Sequence, residues 1–278
     1  MARSQRIFPM RDVAAIGGDT SAVQDGAVDI AVTTDSVLGG RVKLTQPRHG
    51  HRAGHDAVLL AAAVTALPGE SVLDLGAGVG TAGLCLAARV TVGALTLVEL
   101  DPQLAALAAA NAAANGLGER TRVIVVDASA RGAVRERAGL ARGTLDRVMS
   151  NPPFHDAARH RGSPDDARRR AHQAGEDLLD AFVRAAAAVL RPGGTLTMIH
   201  RADQPAVLLS ALAGRFGGIR LTPVHPRPGA AANRLILSGI KGSRAPVAIL
   251  PGLILADAEG RPSPEAEAIL RGGAALGA

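Results

Sequence analysis

The chain has 278 residues, 47% hydrophobic and 20% charged, enough to bury a sizeable core as one large domain with modest appendages and too apolar for wholesale disorder. A solitary cysteine, Cys85, excludes an internal disulfide and any cysteine-built zinc or iron–sulfur cage, and the longest apolar run, Ala57 to Val64, falls far short of the roughly 20 residues that cross a bilayer. The formal charge of +6 is carried almost wholly by arginine, which suits a polyanionic partner, but with no Trp, no Tyr and four Phe an extended base-stacking platform is excluded.

In chain order, the start MARSQRIFPMRD has no apolar stretch of the secretory kind, so a cytoplasmic location is expected. Residues 1–34 read as an N-terminal extension without sustained periodicity. SVLGGRVKLT, 36–45, predicts a β-hairpin turning at Gly39-Gly40. Asp56 is placed to cap a helix through AVLLAAAVTAL, stopped by Pro68-Gly69.

Strand-like runs then alternate with helical stretches. The strands are expected at 71–75, 94–100, 122–126, 147–150 and 195–200, the helices at 81–89, 102–115 and 176–190. Continuous short apolar strands separated by helices indicate a parallel sheet covered on both faces. The expected fold is α/β, a doubly wound Rossmann-like sheet of about seven mostly parallel strands. A helix near 204–213 leads into strands at 219–225 and 234–240, whose connection PRPGAAAN is too short for a crossover, so that pair is expected to be antiparallel. This domain is expected to span 35–244, with 245–278 as a C-terminal extension packed on it that ends in a helix capped by Ser263-Pro264-Glu265.

The first strand of the alternation runs into VLDLGAGVGT, where Asp74 precedes Gly76, Gly78 and Gly80. The dinucleotide fingerprint is spaced G-x-G-x-x-G and holds a pyrophosphate at a helix N-terminus. Here the spacing is G-x-G-x-G, and a carboxylate beside a pyrophosphate would repel it. The same carboxylate suits a cationic ligand, which points to S-adenosylmethionine. Glu99, at the end of the next strand, has the spacing to bind both ribose hydroxyls, and Asp127, after the third, can accept from an adenine amino group. Each feature taken singly could be no more than a turn or a helix cap; their order along successive strand ends is what argues for a binding crevice.

The fourth strand ends in Ser150-Asn151-Pro152-Pro153-Phe154. An exocyclic amine on a base is a poor nucleophile because its lone pair is delocalised into the ring. Acceptance of its two N–H bonds by the side-chain carbonyl of Asn151 and the backbone carbonyl of Pro152 would aim that lone pair outward. Pro152 and Pro153 fix φ and keep the carbonyls rigid, and Phe154 would stack on an unpaired or flipped base. No metal is required.

On these residues the chain resembles the class I S-adenosylmethionine-dependent methyltransferases that carry an Asn-Pro-Pro-aromatic motif, and among them the bacterial tRNA1(Val) (adenine-N6)-methyltransferase-like family. The resemblance covers HRAGHDAVLLAAA, VLDLGAGVG, VELD, SNPPF, HRAD and ANRLIL with KGS. It implies methyl transfer to N6 of an adenine in RNA, foremost tRNA, with S-adenosylmethionine as methyl donor. It further implies that Gly54 to Asp56 help close the cofactor pocket, and that Leu100 and Ala128 line it beside Glu99 and Asp127. Tyrosine is usual where Phe154 stands. Phe154 followed by His155 also resembles the guanine-N2 methyltransferases of ribosomal RNA, and a protein glutamine is a further substrate of such motifs. From other classes, an NAD-dependent oxidoreductase and a non-catalytic S-adenosylmethionine- or RNA-binding module remain as alternatives.

Arg159, Arg161, Arg168, Arg169 and Arg170 follow the motif and could either grip RNA phosphate or pair with Asp156, Asp165 and Asp166. Arg234 and Lys241 could likewise contact RNA or merely border the last strand. His49, His51 and His55 share a loop without the acidic pattern of a metal site. Monomer and homodimer are equally compatible with this reading.

Overall fold

A computed structural model describes residues 30–49, 52–153 and 164–277. Most of the expected extension 1–34, together with His51, Phe154, His155, Asp156, Arg159 and Arg161, lies outside the described residues, as do the side chains of Asp165, Asp166 and Arg168 to Arg170.

A hairpin comes first. β1 (Val32–Val37) and β2 (Val42–Pro47) pair antiparallel in a sheet of their own. The hairpin therefore begins before residue 34, inside the expected extension. Its turn is wider than a two-residue connection, because Leu38, Gly39 and Gly40 in succession take positive φ. Gly39 is required there on a second count, since a Cβ would stand 2.7 Å from the Arg271 carbonyl oxygen.

The main sheet holds β3 (Ser71–Leu75), β4 (Ala94–Glu99), β5 (Thr121–Val125), β6 (Leu145–Ser150), β7 (Leu190–Arg201), β8 (Phe216–His225), β9 (Arg234–Lys241), β10 (Ala248–Ile249) and β11 (Leu253–Ile254). Its order is β10-β8-β9-β7-β6-β3-β4-β5, with β11 also on β8. The strands β3 to β7 run parallel and β9 runs antiparallel to both β7 and β8, as the connection lengths require. The run AILPGLILA was expected in an appended extension. It instead adds β10 and β11 to β8, interrupted where Pro251 has no N–H to give.

The helices are α1 (His55–Ala63), α2 (Thr81–Arg89), α3 (Pro102–Ala114), α4 (Gly132–Arg137), α5 (Pro164–Val189), α6 (Pro205–Leu212) and α7 (Pro264–Leu270). At α3 the Asp101 carboxylate accepts from the Gln103 and Leu104 amides with Pro102 in the first turn, and Ser263 caps α7 by accepting from the Ala266 amide. At α1 the expected cap fails. Gly54 occupies the N-cap without a side-chain bond, and Asp56 lies one residue inside the helix, where its carboxylate is drawn to Arg234. That helix also ends before Pro68, because Arg89 Nη2 donates to the Ala61 and Val64 carbonyls and satisfies its last turn.

Two apolar layers cover the sheet. One packs the hairpin, α1, α2, α3 and α7 through Leu44, Leu59, Leu84, Leu97, Ala108 and Ile269; the other packs α5 and α6 through Leu75, Val148, Phe182, Val183, Leu196 and Leu212. Each such leucine, fully buried, contributes about 1.5–3 kcal/mol. Strand alternation decides the faces along β3: Val72 joins the first layer, Leu73 and Leu75 the second.

Near the opposite sheet edge, Arg147 Nε and Nη2 donate to the two Glu70 oxygens, both at 2.7 Å, and Arg147 Nη1 reaches Thr195 Oγ1. This bond holds the Glu70 carboxyl below its usual range. Glu70→Ala leaves a largely buried guanidinium without its fork and is expected to cost about 2 kcal/mol, read as a lower denaturation midpoint at unchanged denaturant slope. In the parent chain this contribution is present above the usual glutamate pKa and is lost as pH falls through the depressed value.

Candidate active site

Strand order reverses at β3, where β4 lies on one side and β6 on the other. In doubly wound sheets ligands bind in the crevice at the carboxyl ends of the strands at such a point. The loop that leaves β3 is anchored on β4, since the Gly76 and Ala77 amides both donate to the Val98 carbonyl, at 2.9 and 2.8 Å. Gly76, Gly78 and Gly80 all take positive φ, and Gly80 then caps α2. A Cβ on Gly78 would meet nothing within 4 Å, so the loop faces open space where only hydrogen now stands.

Glu99, at the end of β4, closes this loop from the side. Its Oε2 accepts from the Gly78 amide at 2.8 Å, and its Oε1 accepts from the Leu100 and Asp101 amides at 2.9 and 3.0 Å. The carboxylate is thus fixed in place, with lone pairs remaining for hydroxyl donors. Leu100 beside it is 63% exposed, an apolar surface at the rim. Asp127 lies two residues past β5 rather than at its end; its Oδ1 accepts from Ser129 N and Oγ, which leaves Oδ2 for another donor. Ala128 is buried, and its carbonyl is held by Arg135 Nη1 at 3.1 Å.

Asp74 stands apart from this group. Alternation along β3 turns it under α2, where it is 2% exposed and its Oδ2 accepts from the Gly83 amide at 2.9 Å. Burial pushes its carboxyl up to about 7; the Gly83 bond opposes this and the Glu99 charge adds to it.

The Asn151 turn adjoins the glycine loop. Asp74 pairs with Met149 across β3 and β6, so the chain leaves both strands side by side, at Gly76 and at Asn151. Ser150, fully buried, fastens the two ends by donating from Oγ to the Leu75 carbonyl at 2.7 Å. Pro152 is buried and Pro153 exposed. The Oδ1 atom of Asn151 is buried and accepts no hydrogen bond from the described residues, an arrangement that costs about 1–3 kcal/mol unless something else uses the oxygen.

Gly54 to Asp56 open α1 beside the start of β9 and the end of β7. Arg234 Nε donates to Asp56 Oδ2 at 2.9 Å, so this arginine borders the last strand by pairing with the helix. Lys241 donates to the Leu190 carbonyl at the other end of β9. Burial holds His55 and His200 below the ordinary histidine value. Asn233, just before β9, carries a second buried amide oxygen without a partner among the described residues. Sequence reading did not single out Ser150, Asn111 or Phe182. Ser150 stood next to the motif and could have been found by asking what fastens two adjacent strand ends. Phe182 stacks against Gly76, where a Cβ would come within 3.0 Å of its ring, and no local signal pointed to it. Cys85 is buried core, its thiol pushed up to about 12 by burial.

The family model described as the methyltransferase small domain matches residues 54–223. A tRNA1(Val) (adenine(37)-N6)-methyltransferase of Porphyromonas gingivalis is 31% identical over 211 residues, covering 73% of this chain and 80% of that one. A ribosomal RNA small subunit methyltransferase C of Pseudomonas aeruginosa is 37% identical over 152 residues, 54% of this chain and 38% of its own. Among solved structures, one described as a predicted O-methyltransferase, from Agrobacterium tumefaciens, superposes with a TM-score of 0.68 at 31% identity over 80% of this chain and 98% of that chain.

A sheet of this order, a cradle of this kind at its reversal and these likenesses define an S-adenosylmethionine-dependent methyltransferase. The chain belongs to the methyltransferase small domain family. The residues present fit the methyl donor: Gly78 leaves the room a bulky ligand needs, and Glu99 is held ready for hydroxyls.

Proposed function

We propose that this enzyme methylates the exocyclic N6 of an adenine in RNA, tRNA foremost. The observation that carries the reading is the buried Asn151 Oδ1, without a partner among the described residues, at the exit of β6 beside the strand that feeds the glycine loop. A buried acceptor left empty is a poor structural element and a good receptor for a substrate N–H. The relative from Porphyromonas gingivalis, named for adenine-N6 methylation of tRNA, supports the choice of base.

In this mechanism Glu99 holds the ribose hydroxyls, Asp127 accepts from the adenine of the donor, and Gly76, Gly78 and Gly80 keep the loop clear of side chains. Leu100 and Ala128 supply apolar walls, Gly54 to Asp56 border the pocket, and Asp74 places a carboxyl beneath the loop. S-adenosylmethionine supplies an electrophilic methyl group on a sulfonium. Asn151 Oδ1 and the Pro152 carbonyl receive the two N–H bonds of the target amine, which turns its lone pair outward, and the displaced proton passes to water. Pro152 and Pro153 keep these acceptors rigid, so little reorganisation is needed as charge develops. Phe154 stacks on the base and the arginines after it take RNA phosphate. The catalytic domain runs from the hairpin at Val32 through β11 at Ile254, with α7 packed on it.

A guanine-N2 target in ribosomal RNA is the second reading, favoured by Phe154-His155 and by the Pseudomonas aeruginosa relative. Incubating the enzyme with labelled methyl donor and, separately, tRNA, ribosomal RNA and release factor distinguishes the targets. Digestion of the tRNA arm is expected to yield N6-methyladenosine. Label recovered only as N2-methylguanosine from ribosomal RNA, or only in protein, overturns the proposal.

A further inference from the structure

We propose that Asn111 is a positioning residue through which the N-terminal hairpin sets the grip of the glycine loop on S-adenosylmethionine; this rests on the reading that Gly76 to Gly80 hold the cofactor. The hairpin forms no strand pair with the main sheet, yet the outer edge of β2 is not bare. Asn111 Oδ1 accepts from Thr45 N at 2.7 Å and its Nδ2 donates to Thr45 O at 2.9 Å. Asn115 repeats the pattern on Lys43, at 2.9 and 2.7 Å. The match is geometric. Residues four apart on a helix rise about 6 Å and residues two apart on a strand about 6.6 Å, so two side-chain amides of α3 take the place of a neighbouring strand.

The two asparagines differ in where their remaining N–H goes. Asn115 Nδ2 returns to the Asn111 carbonyl, within its own helix. Asn111 Nδ2 also donates to the Val79 carbonyl at 3.0 Å, inside the glycine loop. Asn111 is 1% exposed and every polar atom of its amide is used, so it cannot release Val79 without leaving a buried group unpaired. The hairpin reaches the opposite wall too. Buried Gln46 accepts from Ala53 N at 2.8 Å and donates to Asp35, which also receives Arg52. Ala53 directly precedes Gly54, the cap of α1. Docking of the hairpin and closure of the loop are therefore one linked event.

Asn111→Ala and Asn115→Ala each remove two bonds to β2, and both are expected to lower the thermal midpoint, Asn111→Ala the more because Asn111 itself is buried. Only Asn111→Ala removes the tie to Val79. It is expected to raise the Kd and KM for S-adenosylmethionine by about tenfold with kcat at saturation little changed, while Asn115→Ala shifts them less than about twofold. Equal effects of the two variants on cofactor affinity overturn the coupling. Linkage is reciprocal, so in the unsubstituted protein the cofactor is expected to slow hydrogen exchange at the Thr45 amide. Unchanged exchange there, under a cofactor concentration that saturates binding, also overturns it. Gly78→Val separates the underlying reading: full cofactor affinity in that variant refutes the role of the loop, whereas its loss alongside equal Asn111 and Asn115 effects refutes the coupling alone.

Discussion

Replacing Asn151 by alanine is expected to slow methyl transfer by roughly 10²–10³-fold, the scale seen when one preorganised polar group is removed from a reacting centre, with cofactor affinity unchanged. Stability should move the other way. Asn151 Oδ1 is buried without a partner among the described residues, so its removal relieves a desolvation cost and the thermal midpoint should hold or rise by the equivalent of about 1 kcal/mol. A residue whose loss slows turnover this far without weakening the fold is being kept for function rather than for packing. Single-turnover rates and melting curves on the same preparation check both halves. Full methyl transfer by Asn151→Ala would remove the amine-orienting mechanism while leaving the fold untouched.

The second large effect concerns pH. Asp74 is buried, and its carboxyl is pushed up to about 7 from the ordinary value of 3.8. Between those values the folded chain retains a proton that the unfolded chain has released, so stability falls as pH rises through this window. From pH 5 to about 7 the loss amounts to roughly 2 kcal/mol, the slope of about 1.4 kcal/mol per unit flattening as the folded value is reached. His55 and His200, held low by burial, act in the opposite sense, losing stability as pH falls below the ordinary histidine value. The difference between Asp74→Asn and the parent is therefore the readout, since asparagine can still accept from Gly83. The variant should already be ahead near pH 5, and its lead should widen by roughly 2–3 kcal/mol by pH 8. Parallel stability curves would show that the buried carboxyl does not titrate in this range.

Much of the architecture was legible because period and punctuation agreed. The apolar runs that became β3, β4 and β6, the Gly after β3 and the Pro102 and Ser263 helix starts each carry their own local cause. Where reading failed, a distant partner decided. Asp56 had the chemistry of a helix cap, and Arg234, far away in sequence, claimed it. Asp74 read as a ligand carboxylate, but alternation along β3 set it on the side of Val72, under α2; counting by twos from Val72 would have found this. The strand edge of β2 gave no sign that two asparagines would complete it, because an amide ladder built from side chains has no sequence period of its own. Glu99 and Asn151 were legible because each closes a strand, and strand ends at a sheet's carboxyl edge converge whatever the loops do.

The short strands β10 and β11 bear on how the molecule behaves in a crowded cell. An open sheet with a long bare margin invites a second molecule to add to it, the first step toward insoluble assemblies. Here β8 would be that margin, ten residues long. It is instead covered by two-residue pieces split at Pro251, too brief and too broken to template further growth. Ile249 is left 76% exposed on that rim, so solubility there depends on the brevity and interruption of the covering strands rather than on their polarity.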